Sequence, residues 1–306
     1  MKLKVSTNNE YGQLKSVLLG SAENMTWPEK DIEFDKNIEL STYKGTLTKG
    51  MLPTTVIKEA NEDLDKFSKT MTDRGIRVLR PNTTGPNWAY SARDVLLTIG
   101  DTVIACPTPF TSRANELDLY PDLQHADCNI VIAPRPQSNK DPMFDAANVL
   151  KINDKLVYSL SHSANEAGAE WLQQQVGTAY EVITWQVVSH QITHIDSTIL
   201  SCGPDSVLVN ASRVKQDQLP KFMNNFKKIW VTDILPRKFE TFPYSSKWIG
   251  MNVLSLDPET IVVDDIQKKL IAQLKEEKFN VISLPMRHAR TLGGGFHCVT
   301  CDLERD

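Results

Sequence analysis

Several protein classes are excluded by what this chain lacks. No apolar run approaches the roughly 20 residues that span a bilayer. In the opening stretch MKLKVSTNNEYGQLKSVLLG, the apolar segment 17–19 is too short for a secretory leader. Basic clusters are missing. The 34 Lys and Arg are outnumbered by 38 Asp and Glu, so the footprint of a nucleic-acid binder is absent. Cysteine is scarce and odd in number: Cys106, Cys128, Cys202, Cys298 and Cys301. That usage fits reduced thiols better than a disulfide framework and points to a cytoplasmic protein. Cys298 and Cys301 form one CxxC, but neither a second CxxC nor histidines at finger spacing accompany it, so no metal is expected.

What the chain does have is an internal repeat. Segments 94–106 (DVLLTIGDTVIAC), 147–160, 196–210 and 251–265 (MNVLSLDPETIVVDD) each read as strand, turn and strand. Gly100-Asp101, Asn153-Asp154, Gly203-Pro204-Asp205 and Asp257-Pro258-Glu259 supply the turns, which is hairpin chemistry. The equivalent residues Val95, Val149, Ile199 and Val253 recur with a period of about 50, as in stacked or circularly arranged units. Helical patterns at 55–74, 164–176, 217–226 and 266–277 are each followed by a strand, at 76–81, 180–188, 228–235 and 279–285. Segment 13–20 predicts part of a fifth unit completed by a C-terminal strand, which would leave no open sheet edge. The expectation is one α/β domain over 1–306, a five-bladed pseudo-symmetric α/β propeller with a central cavity, in preference to a doubly wound sheet. Segments 21–52 and 108–142 break the pattern and read as long loops over one face.

Chemistry-bearing residues sit just before the hairpins. They are Arg93 and Asp94, then Asp145, then His194 and Asp196, then Ser245, Ser246 and Lys247, and lastly Cys298 after three glycines in TLGGGFHCVTCD. Singly, each is more often structural, and a free cysteine is usually a small core residue. If the repeats form a ring, however, these side chains converge. A thiolate is then available as nucleophile. His194 can take or give a proton, and Asp145 can orient the imidazole. Asp94 and Asp196 are costly together in a small cavity unless the ligand is positive. A planar guanidinium, which pairs with carboxylates in bidentate fashion, is the natural guest.

At these positions the chain resembles the arginine:glycine amidinotransferases, within the wider superfamily of guanidine-modifying enzymes. The resemblance is carried by ARD at 92–94, FDAA at 144–147, HID at 194–196, SSKW…MNVL at 245–254 and LGGGFHC.TCD at 292–302. It implies the propeller fold and a homodimer. The implied reaction has no cofactor and is ping-pong: L-arginine donates an amidino group to Cys298, ornithine leaves, and an acceptor amine (glycine by default, or another amino acid, a diamine or an aminocyclitol) collects the group. Cys298, His194 and Asp145 would be catalytic. Asp94 and Asp196 would grip the guanidinium, Arg213 the donor α-carboxylate, and Ser245 and Ser246 would contact the donor. The alternative is a guanidine hydrolase of the arginine deiminase or dihydrolase type, with water as acceptor. Two departures stand out: DAAN where the family has DAAD, placing Asn148 in the second acid's position, and a chain that stops at LERD, 303–306.

Overall fold

The four hairpins form where the turn residues lie. A computed structural model describes residues 2–40, 45, 47–187, 193–234 and 243–306. Strands Leu96–Ile99 and Thr102–Ala105, Val149–Ile152 and Lys155–Ser159, Ile199–Gly203 and Ser206–Asn210, and Leu254–Ser255 and Thr260–Asp264 pair antiparallel. Gly100 and Asn153 take positive φ in two of the turns, which tight hairpins require.

Each hairpin gains a third strand, parallel to its second. These are Asn129–Ile132, Glu181–Trp185, Lys227–Val231 and Asn280–Leu284. The remaining three-stranded sheet joins both ends of the chain. Leu14–Leu19 is its centre, with Thr300–Arg305 antiparallel on one side and Arg77–Leu79 parallel on the other. The described residues therefore hold five three-stranded sheets, together with a short pairing of Thr26–Trp27 with Gly50–Met51.

Helices precede several of the parallel strands. Thr54–Thr72 buries Val56, Ala60, Leu64, Phe67 and Met71, a stripe at helical spacing that packs into the core. Glu166–Val176 and Lys268–Glu276 occupy the same place in their units. The helix expected over 217–226 does not form. Pro220 lacks the N–H an α-helix needs, and the stretch splits into the 3₁₀ turns Gln216–Gln218 and Lys221–Met223. Nor are the two long segments plain loops. Segment 21–52 contains the helix Ile32–Leu40, and segment 108–142 contains the strand Asn129–Ile132. The expected strand ends at Val188 and Leu235, and residues 41–44 and 46 of the first long segment, lie outside the described residues. No helix among the described residues is long and apolar enough to cross a membrane.

Candidate active site

A one-turn segment leads into each hairpin and presents the polar residues. In three units it is a 3₁₀ turn: Ala146–Asn148, Ile195–Ser197 and Lys247–Met251. Its N-cap residue is Asp145, His194 or Ser246, respectively. Asp94 and Cys298 lie further along the corresponding turns, which close through Asp94 N to Ser91 O and Thr300 N to His297 O. The residues thus share a turn but not a single position within it.

The Cys298 turn is shaped by its glycines. Gly293 has φ +84, and a Cβ there would meet Tyr244 at 2.4 Å. A Cβ on Gly295 would come within 2.7 Å of Asn252. That close approach lets Asn252 Oδ1 accept from both Gly295 N (3.1 Å) and Cys298 N (2.8 Å). Asn252 Nδ2 is left buried without a hydrogen-bond partner.

Cys298 is buried, and its Sγ donates to Asp196 Oδ2 at 3.2 Å. Burial, with the charges of Asp196 and Asp94, pushes the thiol well above its ordinary range. The same Asp196 oxygen accepts from His297 Nδ1 at 2.9 Å. Burial alone would raise Asp196, but the bond and charge of His297 outweigh it and bring Asp196 down to about 2. Asp94 is held by Arg113, whose Nη1 is 2.5 Å from Oδ2. Arg113 also pairs with Glu116 and lies 4.6 Å over the Trp88 ring. The second oxygen of Asp94, Oδ1, is buried with no hydrogen-bond partner.

His194 sits between two acids. Its Nε2 is 3.1 Å from Asp145 Oδ2, and its Nδ1 is 3.7 Å from Asp94 Oδ1. Burial disfavours the imidazolium, but Asp94 and the Asp145 hydrogen bond overcome that and lift the pKa to about 9. Asp145 is fixed in turn by Thr108 Oγ1 at 2.5 Å. Asn148 has a structural use for its amide. Nδ2 donates to Thr193 O at 2.6 Å and Ser161 Oγ at 3.1 Å, while Oδ1 accepts from Asp145 N. A carboxylate could not donate to the Thr193 carbonyl, and this link ties the Asp145 turn to the residue before His194.

The residues picked from the sequence come together unevenly. Cys298, Asp196, Asp94, His194 and Asp145 form one connected cluster. Arg213 donates to Ser197 and Thr198, which follow Asp196, and lies 3.4 Å from Ser246 Oγ. Burial lowers Arg213 to about 10. Ser245 turns the other way, and its Oγ donates to Ala289 O. The structure adds Glu10, His297 and Asn252, whose partners lie far along the chain, and Arg113, whose partners Glu116, Asp94 and Trp88 lie within 25 residues of it. The nearest signals were GGGFHC for His297 and MNVL for Asn252. Cys301 is buried and donates to Leu96 O. Among the described residues no group of three or more His, Cys, Asp or Glu is placed to hold a metal ion.

No protein-family model matches the chain. Curated relatives do. Inosamine-phosphate amidinotransferase 1 of Streptomyces griseus is 34% identical, with 98% of this chain and 97% of the relative covered. The mitochondrial glycine amidinotransferase of Xenopus tropicalis is 27% identical, with 98% and 83% covered. A solved structure of the S. griseus inosamine-phosphate amidinotransferase matches with a TM-score of 0.92 at 34% identity, covering 100% of this chain and 97% of that one.

Proposed function

The chain belongs to the amidinotransferase family, and on that premise we propose that it transfers the amidino group of L-arginine to an acceptor amine, by way of a covalent amidino-Cys298 intermediate, and releases L-ornithine. One observation carries the reading. A buried thiol faces Asp196, while the buried Oδ1 of nearby Asp94 has no hydrogen-bond partner and waits for a donor. Guanidinium N–H groups would supply donors to both acids and bring the positive charge that offsets their burial. That charge is also what the thiol needs in order to ionise.

The proton balance is simple. The Cys298 proton passes to the neutral fraction of His194 as sulfur attacks the guanidinium carbon. His194 returns that proton to the departing nitrogen, and ornithine leaves. The acceptor amine then gives a proton to His194 as it attacks the amidino carbon and expels the thiolate. Asp145 holds the imidazole throughout, and Asn252 Nδ2 is a buried donor for the sulfur anion. Arg213 would take the donor carboxylate, with Ser246 at its side. Ser245 is given no donor contact, since its hydroxyl bonds Ala289 O and its N–H bonds Arg290 O.

We read the five sheets as blades of one propeller over 1–306, and the protein as a cytoplasmic homodimer. The acceptor is larger than glycine. A groove of about 520 Å³ runs between the helix Ile32–Leu40 and segment 109–143, lined by Lys30, Glu33, Lys36, Ser138 and Asn139, and it reaches Met143 beside the Asp145 turn. Its lining mixes charged side chains such as Lys30 and Lys36 with apolar ones such as Ile32, Pro109 and Pro136, which suits a bulky amine carrying an anionic group, such as the inosamine phosphate named for the S. griseus relative. The test is incubation with labelled L-arginine and a panel of amines, read by mass spectrometry. Ornithine that appears only with an added amine supports transfer. Citrulline formed without one would identify a hydrolase instead, and equal turnover of glycine and an aminocyclitol phosphate would remove the role given to the groove.

A further inference from the structure

We propose that His297 is a positioning residue of this site: a permanent imidazolium, clamped between Glu10 and Asp196, that keeps Asp196 ionised to receive a cationic substrate. The proposal rests on the guanidinium reading above. It takes from that reading only the role of Asp196.

The geometry is specific. His297 Nδ1 is 2.9 Å from Asp196 Oδ2, and Nε2 is 3.1 Å from Glu10 Oε2. A neutral imidazole carries one N–H and would turn a bare nitrogen toward one of the two carboxylates. Only the doubly protonated ring donates to both. The ring is buried, as are Glu10 and Asp196, so no solvent relieves a mismatch.

The neighbours fix which partner carries each charge. Glu10 faces Arg93 (Nη1 3.8 Å from Oε1) and accepts from Lys151 N at 3.3 Å. The Lys151 ammonium is close enough to favour a Glu10 carboxylate as well. Arg93 bonds His297 O through Nε and Asp302 through Nη2, and Asp302 is held in turn by Arg305. A chain of alternating charge thus runs Asp196, His297, Glu10, Arg93, Asp302, Arg305. On the substrate side, Asp196 faces the Cys298 thiol, and His194 and Asp94 lie nearby. Burial and the Arg93 cation both oppose charge on His297, but the two carboxylates prevail and its pKa is raised. Glu10 lies 287 residues from His297, so no local motif announces the pair.

A buried carboxylate without such a partner drifts upward by several pH units. Removing the His297 charge therefore lets Asp196 take up a proton near neutrality, and arginine then meets a neutral acid. His297→Asn keeps an amide donor near the Nδ1 position but removes the charge. Glu10→Gln keeps an acceptor for Nε2–H but removes the anion that sustains the imidazolium.

Arginine binding is measured calorimetrically from pH 5.5 to 8.5 in a Cys298→Ala background, so that no turnover intervenes. Without further change, affinity varies little with pH over that window. With His297→Asn, binding at pH 5.5 weakens by at least about tenfold and recovers as pH rises. Glu10→Gln moves the same way by a smaller factor. A uniform loss at every pH marks a merely structural role and overturns the proposal. Long-range ¹H–¹⁵N NMR of the otherwise native, histidine-labelled protein is the independent arm. An imidazolium pattern for His297 from pH 6 to 8.5 is expected, and a neutral ring overturns the proposal even if the His297 variant fails to fold. If the Cys298→Ala protein binds no arginine at all, the guanidinium reading fails, while the NMR result still decides the state of His297.

Discussion

Two regions of the molecule handle charge in opposite ways. Around Cys298 the acids and bases are buried and paired: His297 with Glu10 and Asp196, Arg93 with Asp302, Arg113 with Asp94 and Glu116. Where residues 29–36 face residues 136–139 the charges instead line an open groove, and Asp31 links the two segments. That side chain accepts from Glu33 N and Phe34 N at the start of one helix, and from Ser112 N and Oγ in the other segment. A site that must hold one planar cation gains from fixed charges, because displaced or unpaired ones are expensive in the interior. A site that selects among acceptors gains from a wall that can be rebuilt without disturbing the chemistry.

The largest effect should come from the fixed region. Cys298→Ala is expected to cut turnover by at least about a thousandfold while arginine still binds, checked by ornithine release and calorimetry. Turnover near the wild-type rate would detach the sulfur from the reaction. Next comes Asp145→Asn. His194 is held near 9, so over neutral pH it is mostly protonated and cannot take the thiol proton. The arginine kcat/KM of the unaltered protein should therefore climb with pH toward about 9. Removing the Asp145 charge lowers the imidazole pKa, so the climb should move to lower pH, with the plateau reduced about 10²-fold or more. A limb that stays in place would show that Asp145 does not set the His194 charge.

Smaller changes test the outer region. Asp31→Ala removes a helix cap and its link to Ser112, which should cost about 1–2 kcal/mol in urea unfolding. It should raise the acceptor KM and leave the ornithine burst of the first half-reaction nearly unchanged. Equal damage to both half-reactions would abolish the distinction between the two regions. The smallest effect is expected of exposed Lys30→Ala: a few-fold rise in KM for a phosphorylated acceptor and none for an uncharged one, as suits a solvent-screened contact.

How far the sequence could be read follows from where each interaction is determined. The hairpins were legible because turn residues such as Gly100-Asp101 and Asn153-Asp154 act locally. Cys298, His194 and Asp145 were legible because each lies in a distinctive short motif. The strand Asn129–Ile132 was not, since its four residues sit inside a polar stretch and are specified by pairing with Thr102–Ala105. The helix Ile32–Leu40 escaped because its buried residues are few, with Phe34 packed among Trp27, Trp88 and Tyr244. Segment 217–226 carries apolar residues at helical spacing, but Pro220 overrides that pattern. Glu10 has no local motif, because its partner His297 lies 287 residues away.

The pairing of Leu14–Leu19 with Thr300–Arg305 also bears on synthesis. On a ribosome adding ~5–20 residues per second, the early strand must wait on the order of tens of seconds for its late partner. Cys298 emerges just ahead of that partner. A nascent or prematurely terminated chain that has not reached Thr300–Arg305 therefore lacks the closing strand of that sheet, and one that stops before Cys298 also lacks the proposed nucleophile.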